Sequence, residues 1–268
     1  MSLYSNALSV VRQYLSAEVG DLILSTPSSA SSVIALDTML RKGDDYYNEH
    51  HYRGYCYEGT AIGQEREVSG FAAIGTVTFA PAFSPALTTG DELEFHYIFT
   101  EGEYRKSINM AIESIAGKYL VDLIDETTIE LSADTYEYEL PLSFLYINRI
   151  TTEETAAGGV WNSEDEIDWR DYTIIKSYPP TLKLHENRYS IGAGKFLRLE
   201  GQGTQATVTA DTDVIYIPPA WLVQKAITFL PKSKIQSNKL DTTYQQALVL
   251  SAKEPRAWPN MKARRIVE

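Results

Sequence analysis

The chain has 268 residues, 44% of them hydrophobic and 22% charged, enough apolar matter for one large domain or two to three small ones and too much for wholesale disorder. Its net charge of −12 argues against a surface that grips nucleic acid throughout, and no apolar run approaches the ~20 residues of a membrane span. A single cysteine, Cys56, excludes an internal disulfide framework and suits a reducing cytoplasm; the first residues show no secretory pattern.

Residues Asn6 to Val19 place Leu8, Val11, Leu15 and Val19 at helical spacing. The Ser- and Pro-rich stretch from Ser25 to Ser32 reads as a loop without core residues, so residues 1–40 form a helix followed by an extended arm. Between residues 41 and 100, short β patterns alternate with turns at Gly43, Gly59, Gly63, Gly75 and Gly90, which predicts a small β-barrel or sandwich. Residues 101–126 hold a second helix, with Ile108, Ile112, Ile115 and Tyr119 on one stripe and acidic residues at its start. A second β domain is predicted over 127–217, with the acidic stretch from Thr151 to Trp169 as a long loop. Residues 218–268 give two closing helices, the first opened by Pro219 and the second by an Asn238 cap, then a basic tail. Isolated helices this short do not persist in water. The expected fold is therefore α+β, a small helical bundle carrying two antiparallel β (barrel or sandwich) insertions.

Charge is unevenly spread. Nine basic and two acidic residues lie between Lys225 and Arg265, a local balance of +7 that leaves −19 elsewhere. Such a tail docks on an acidic partner or is simply solvated; the candidate docking residues are Lys253, Arg256, Trp258, Lys262, Arg264 and Arg265. Eighteen tyrosines against eight phenylalanines favour rings with one wet edge, as at β surfaces and interfaces.

Catalytic and metal-binding patterns are weak. Gly201-Gln202-Gly203-Thr204-Gln205-Ala206 matches a dinucleotide fingerprint in letters, but a strand pattern follows where a helix is required, so a hairpin turn is the better reading. His50, His51, His96 and His185 lack ligand spacing, the adjacent pair pointing to opposite faces of an extended segment, and no calcium loop is written among the acids. Cys56 sits mid-strand as a small buried hydrophobe. Asp211, Asp213 and Glu166 are the acids to mutate in testing a hydrolase. The expectation is no enzyme, no metal and no cofactor.

A resemblance sharpens this. The run Asp44-Asp45-Tyr46-Tyr47-Asn48, then Gly59-Thr60-Ala61-Ile62-Gly63-Gln64-Glu65-Arg66-Glu67-Val68, Gly75-Thr76-Val77-Thr78 and Gly90-Asp91-Glu92-Leu93-Glu94, resembles a module of tailed-bacteriophage virion proteins. The likeness spans roughly residues 40–150 and extends to head-to-tail connector (neck) adaptors; His50-His51 and Glu94-Phe95 depart from the pattern. It implies a virion structural protein, assembled in the host cytoplasm, that forms a homo-oligomeric ring between portal and tail and lets DNA pass without specific binding or membrane contact. Twelvefold symmetry against a portal is the discriminating observation. The alternative is a tail-fibre or baseplate component that binds a host glycan through Trp161, Trp169, Tyr172 and Tyr178.

Overall fold

A computed structural model describes residues 4–37, 39–260 and 264–266. The chain divides into two compact units. One takes Tyr4–Ser114 and Thr207–Glu254; the other takes Ile115–Ala206 and the described residues from Pro255 onward. The first is called the helix-bearing unit and the second the all-β unit.

A helical bundle with β insertions is not what this sequence builds. Among the described residues, sixteen strands in four sheets dominate, one sheet having seven strands, and only 22% of the chain is helical. The physical reason lies in who owns the cores. Val68, Phe71, Val77, Phe79, Leu93 and Phe95 in one unit, and Phe144, Ile147, Ile150, Leu182, Leu197 and Leu199 in the other, are strand residues alternating inward. Among the described residues the α-helices all lie in the helix-bearing unit, where the four longest pack chiefly on one another and the cores of the two larger sheets are strand residues.

In the helix-bearing unit, β1 (Asn6–Ala7) leads into α1 (Leu8–Glu18), where Leu8, Val11 and Leu15 are fully buried along one face, with Val19 just beyond. Next come β2 (Ile23–Ser25), β3 (Ser29–Ala30), β4 (Ile34–Leu36), the single turn α2 (Tyr46–Glu49), β5 (Arg53–Glu58), β6 (Glu65–Ala72), β7 (Thr76–Ala80) and β8 (Glu92–His96). These strands form the seven-stranded sheet in the order β2-β8-β5-β6-β7-β4-β3. The Ser/Pro-rich stretch read as a bare loop thus supplies the sheet's end strands. Gly54 in β5 is required by packing, since a Cβ there would stand 2.7 Å from the Phe79 ring.

Helix α3 (Glu101–Ser114) follows, opened by a capping box. Thr100 Oγ1 accepts from the Glu103 amide at 3.2 Å, and Glu103 Oε2 accepts from the Thr100 amide at 2.8 Å. After the chain returns, β15 (Val214–Ile215) pairs with β1, and α4 (Pro219–Ile227), α5 (Lys232–Ser237) and α6 (Asp241–Ser251) complete the unit. Helix α4 packs against α1, α3 and α6. Asn238 is not the N-cap of the last helix: it ends α5, its amide nitrogen donating to the Lys234 carbonyl.

The all-β unit contains β9 (Leu120–Asp125), β10 (Glu137–Glu139), β11 (Phe144–Thr152), β12 (Tyr172–Ile175), β13 (Thr181–Leu184), β14 (Leu197–Thr204) and β16 (Arg264–Arg265). They form a four-stranded sheet, β16-β11-β14-β9, and a three-stranded sheet, β10-β13-β12, whose inward side chains share one apolar cluster. The glycine-rich run is neither a phosphate loop nor a hairpin turn. Gly201 and Gly203 lie inside β14, where a Cβ would fall 2.1 Å from the Tyr146 carbonyl oxygen and 1.9 Å from that of Ser143. Glycine is there because neighbouring backbone leaves no room for a side chain.

Candidate functional site

Arg264 and Arg265, from the basic segment, form strand β16 at the edge of the four-stranded sheet, with Ile147 opposite Arg264 and Tyr146 opposite Arg265. Ile266 beyond them is fully buried in the unit's core. These residues are tied into the chain's own sheet. The Arg264 guanidinium lies 5.1 Å from the centroid of Trp169 and 5.6 Å from that of Tyr172, and Arg170 covers Trp169 at 5.5 Å. Together with Arg188 and His185 they line an open concavity of about 550 Å³. Of the remaining docking candidates, Lys253, Arg256 and Trp258 are exposed, Lys253 belonging to the helix-bearing unit and the other two to the all-β unit. Lys262 lies outside the described residues.

The four aromatic residues suggested for a sugar face are not brought together. Trp169 and Tyr172 line the concavity; Trp161 instead lies 6.0 Å from the Arg198 guanidinium, and Tyr178, 87% exposed, projects from the β12–β13 connection.

A different constellation went unread in the sequence: a buried ionic cluster in the helix-bearing unit. Arg12 on α1 is fully buried. Its Nε donates to Glu94 Oε2 at 2.8 Å and its Nη2 to Glu94 Oε1 at 3.0 Å, a bidentate pair. Its Nη1 donates to Asp211, Glu101 lies 3.6 Å away, and the guanidinium sits 4.4 Å above the Tyr55 ring. Tyr55 donates to the second oxygen of Asp211 at 2.6 Å. On the other side of Glu94, the His96 ring lies 3.1 Å from Oε2 and 2.7 Å from the Asp21 carbonyl. Asp21 accepts from the amides of Tyr97, Ile98 and Phe99 and from the Tyr104 hydroxyl.

Burial opposes charge on these groups, but hydrogen bonds from His96 and Arg12 hold the Glu94 carboxyl below its ordinary value. Burial likewise lowers the His96 pKa, and the bond and charge of Glu94 outweigh it, leaving the ring's pKa raised. Glu101 is raised, chiefly by burial. Every member is enclosed, so the cluster fastens α1, β8, the start of α3 and the Asp211 turn to one another and offers no surface to a substrate. The strand pattern carried one signal: Glu94 lies between Leu93 and Phe95 in a strand buried on both faces, where a carboxylate needs a partner.

The other candidates are dispersed. Asp213 accepts from the amides of Thr209 and Ala210 in a turn, whereas Glu166 is exposed in the all-β unit. His50 Nδ1 donates to the Tyr46 carbonyl and its ring stacks on Tyr46; His51, with φ of 55°, lies beside Glu67. The pair thus follows a helical turn and not an extended segment. Cys56 is buried, and that burial pushes its thiol up to about 11. Among the described residues no group of three or more His, Cys, Asp or Glu is placed to hold a metal ion, and no helix is long and apolar enough to cross a membrane.

The helix-bearing unit also carries two apolar features on its surface. Leu248, Val249 and Leu250 project from α6, Val249 at 76% and Leu250 at 60% exposure, beside Gln245 and Gln246. Distinct residues of α1 and α4 (Tyr14, Ala17, Pro219, Ala220 and Val223) line a hollow of about 520 Å³. Both features are open, and Gln245, Gln246, Val249 and Leu250 themselves border a hollow of about 500 Å³. No protein-family model matches the chain, and no curated protein matches it at a significant level.

Proposed function

We propose that this chain is a non-enzymatic virion structural protein, a head-to-tail adaptor that forms a ring between portal and tail. The observation that carries the reading is a pair of different apolar surfaces on one unit, the exposed Val249 and Leu250 of α6 and the hollow between α1 and α4. A contact between unlike patches is heterologous, and repeated it gives a ring where the rotation closes and an open filament where it does not. The occupant of the hollow is therefore the α6 of a second copy, with Val249 and Leu250 entering between Tyr14 and Val223. The buried ionic cluster supports the same reading in part, because it fixes α1, one wall of the hollow, to the sheet. The resemblance of residues 40–150 to phage virion modules supplies the place of assembly, and DNA passes through the ring without specific binding.

Light scattering on the purified full chain, followed by electron microscopy, tests this. A closed ring is expected, with twelvefold symmetry against a portal as the decisive image. Val249→Glu and Ala220→Glu, one on each side of the contact, are each expected to give monomers. A wild-type monomer at every concentration, or rings that survive both substitutions, would overturn the reading. A threefold stalk would move the protein to the fibre or baseplate class.

A further inference from the structure

The concavity of the all-β unit has a composition at odds with the chain around it. In a protein of net charge −12, its wall holds four arginines (Arg170, Arg188, Arg264 and Arg265) and no carboxylate. Among the described residues neither Arg188 nor Arg264 has a carboxylate within ion-pair distance: Arg188 donates to the Arg170 carbonyl at 3.0 Å, and Arg264 rests on aromatic faces. Arg170 is only loosely engaged, 3.8 Å from Asp168, and both groups are largely exposed. Trp169, at 58% exposure, stands between two of these guanidiniums. Trp, Tyr and Arg grouped in one hollow are the residue types on which binding energy concentrates.

One wall is also a strand edge, since β12 is terminal in the three-stranded sheet. A terminal strand presents unpaired amide and carbonyl groups that another extended backbone completes. That edge decides between anions. Phosphates or acidic sugars satisfy guanidiniums but do not match a backbone ladder, and a chain this acidic repels long polyanions beyond a local patch. An extended peptide uses both features, its backbone on the strand edge and its alternate side chains on one side.

We infer that this groove binds an acidic segment of a partner protein in extended conformation, added along β12 with carboxylates at alternate positions facing Arg188 and Arg264. Four residues of β12 limit the ladder to a short segment, so the arginines supply much of the affinity. This site is independent of the α6 contact, being in the other unit.

Fluorescence anisotropy on the full chain provides the test, with a labelled Thr-Glu-Val-Glu-Val-Glu peptide as probe. Saturable binding that weakens with salt is expected. Arg264→Glu and Arg188→Glu should each reduce affinity at least about tenfold, and Arg264→Gln, with circular dichroism unchanged, should show an intermediate loss. A peptide of the same charge with N-methylated alternate amides should bind at least about tenfold more weakly, since it cannot complete the ladder. Equal binding of the N-methylated or a Lys-substituted peptide would overturn the proposal. So would tighter, Arg264-dependent binding of a heparin hexasaccharide or an oligothymidylate. Self-association of the chain lost in Arg264→Glu would assign the groove to a second copy and also overturn it. Val249→Glu should leave peptide binding unchanged, separating this result from that of the ring.

Discussion

The two units use arginine and tyrosine in opposite ways. In the helix-bearing unit, Arg12 stacks on Tyr55 in full burial, with its guanidinium N–H groups committed to Glu94 and Asp211. In the all-β unit, Arg264 stacks on Trp169 and Tyr172 at an open sheet edge, its hydrogen-bonding edge left to solvent. The same cation–aromatic pairing thus fixes geometry in one place and leaves recognition capacity in the other. The difference is desolvation: a buried ion pair is costly to break because the survivor is stranded, whereas an exposed guanidinium is rehydrated at once.

The contrast is broken most directly by removing each arginine in turn. Arg12→Ala should cost about 3–5 kcal/mol, since Glu94 and Asp211 lose their counter-charge in a closed interior, and Arg264→Ala should stay within about 0.5 kcal/mol. Urea unfolding of both variants reads this; similar losses would erase the distinction. The next effect concerns what holds β16 in place. Ile266→Ala should destabilise by about 2–5 kcal/mol, as a fully buried side chain leaves a cavity. Unchanged stability would mean that β16 is not anchored through the core.

A pH series sharpens the comparison further. The raised pKa of His96 means its contribution is complete below the ordinary imidazole value of 6.5 and is lost as pH rises through the folded-state value. Glu101, raised by burial, also loses stability with rising pH, from its ordinary value of 4.5 upward. Glu94, held low, acts oppositely and loses its contribution as pH falls below 4.5. Thermal unfolding should therefore move to lower temperature from mildly acid to alkaline solution, and His96→Gln should flatten that limb. An unchanged slope in the variant would remove His96 from the cluster. The smallest effect is at the α3 cap, where Thr100→Ala should cost about 1 kcal/mol in urea unfolding, and a null result would show the capping box to be redundant.

Much of the fold was legible where a pattern is local. The stripe Leu8-Val11-Leu15, the alternation Leu197-Arg198-Leu199 that opens β14 and the acid-capped start of α3 each declare themselves within a dozen residues. What stayed hidden depends on distant partners. Arg12 gives no signal of its own, because Glu94 and Asp211 are far along the chain. Arg264 and Arg265 read as a free basic tail because their strand partner, Tyr146-Ile147, lies far upstream and a two-residue strand has no period. Gly201 and Gly203 read as a turn because the carbonyls that exclude a side chain belong to another strand. The fold class failed for a related reason: four helix signals are easy to count, while the ownership of the cores by strand residues appears only in three dimensions.

The chain leaves the helix-bearing unit at Ser114 and returns to it at Thr207, with the all-β unit written between. Order of synthesis then becomes a constraint. When Arg12 leaves the ribosome its pocket has neither Glu94 nor Asp211, and the α4 that packs on α1 and the α6 that packs on α4 come later still. The all-β unit in turn waits for β16 and Ile266. The helix-bearing unit closes only once Glu254 is made and the all-β unit only once Ile266 is, so the surfaces proposed to join copies take shape late in synthesis.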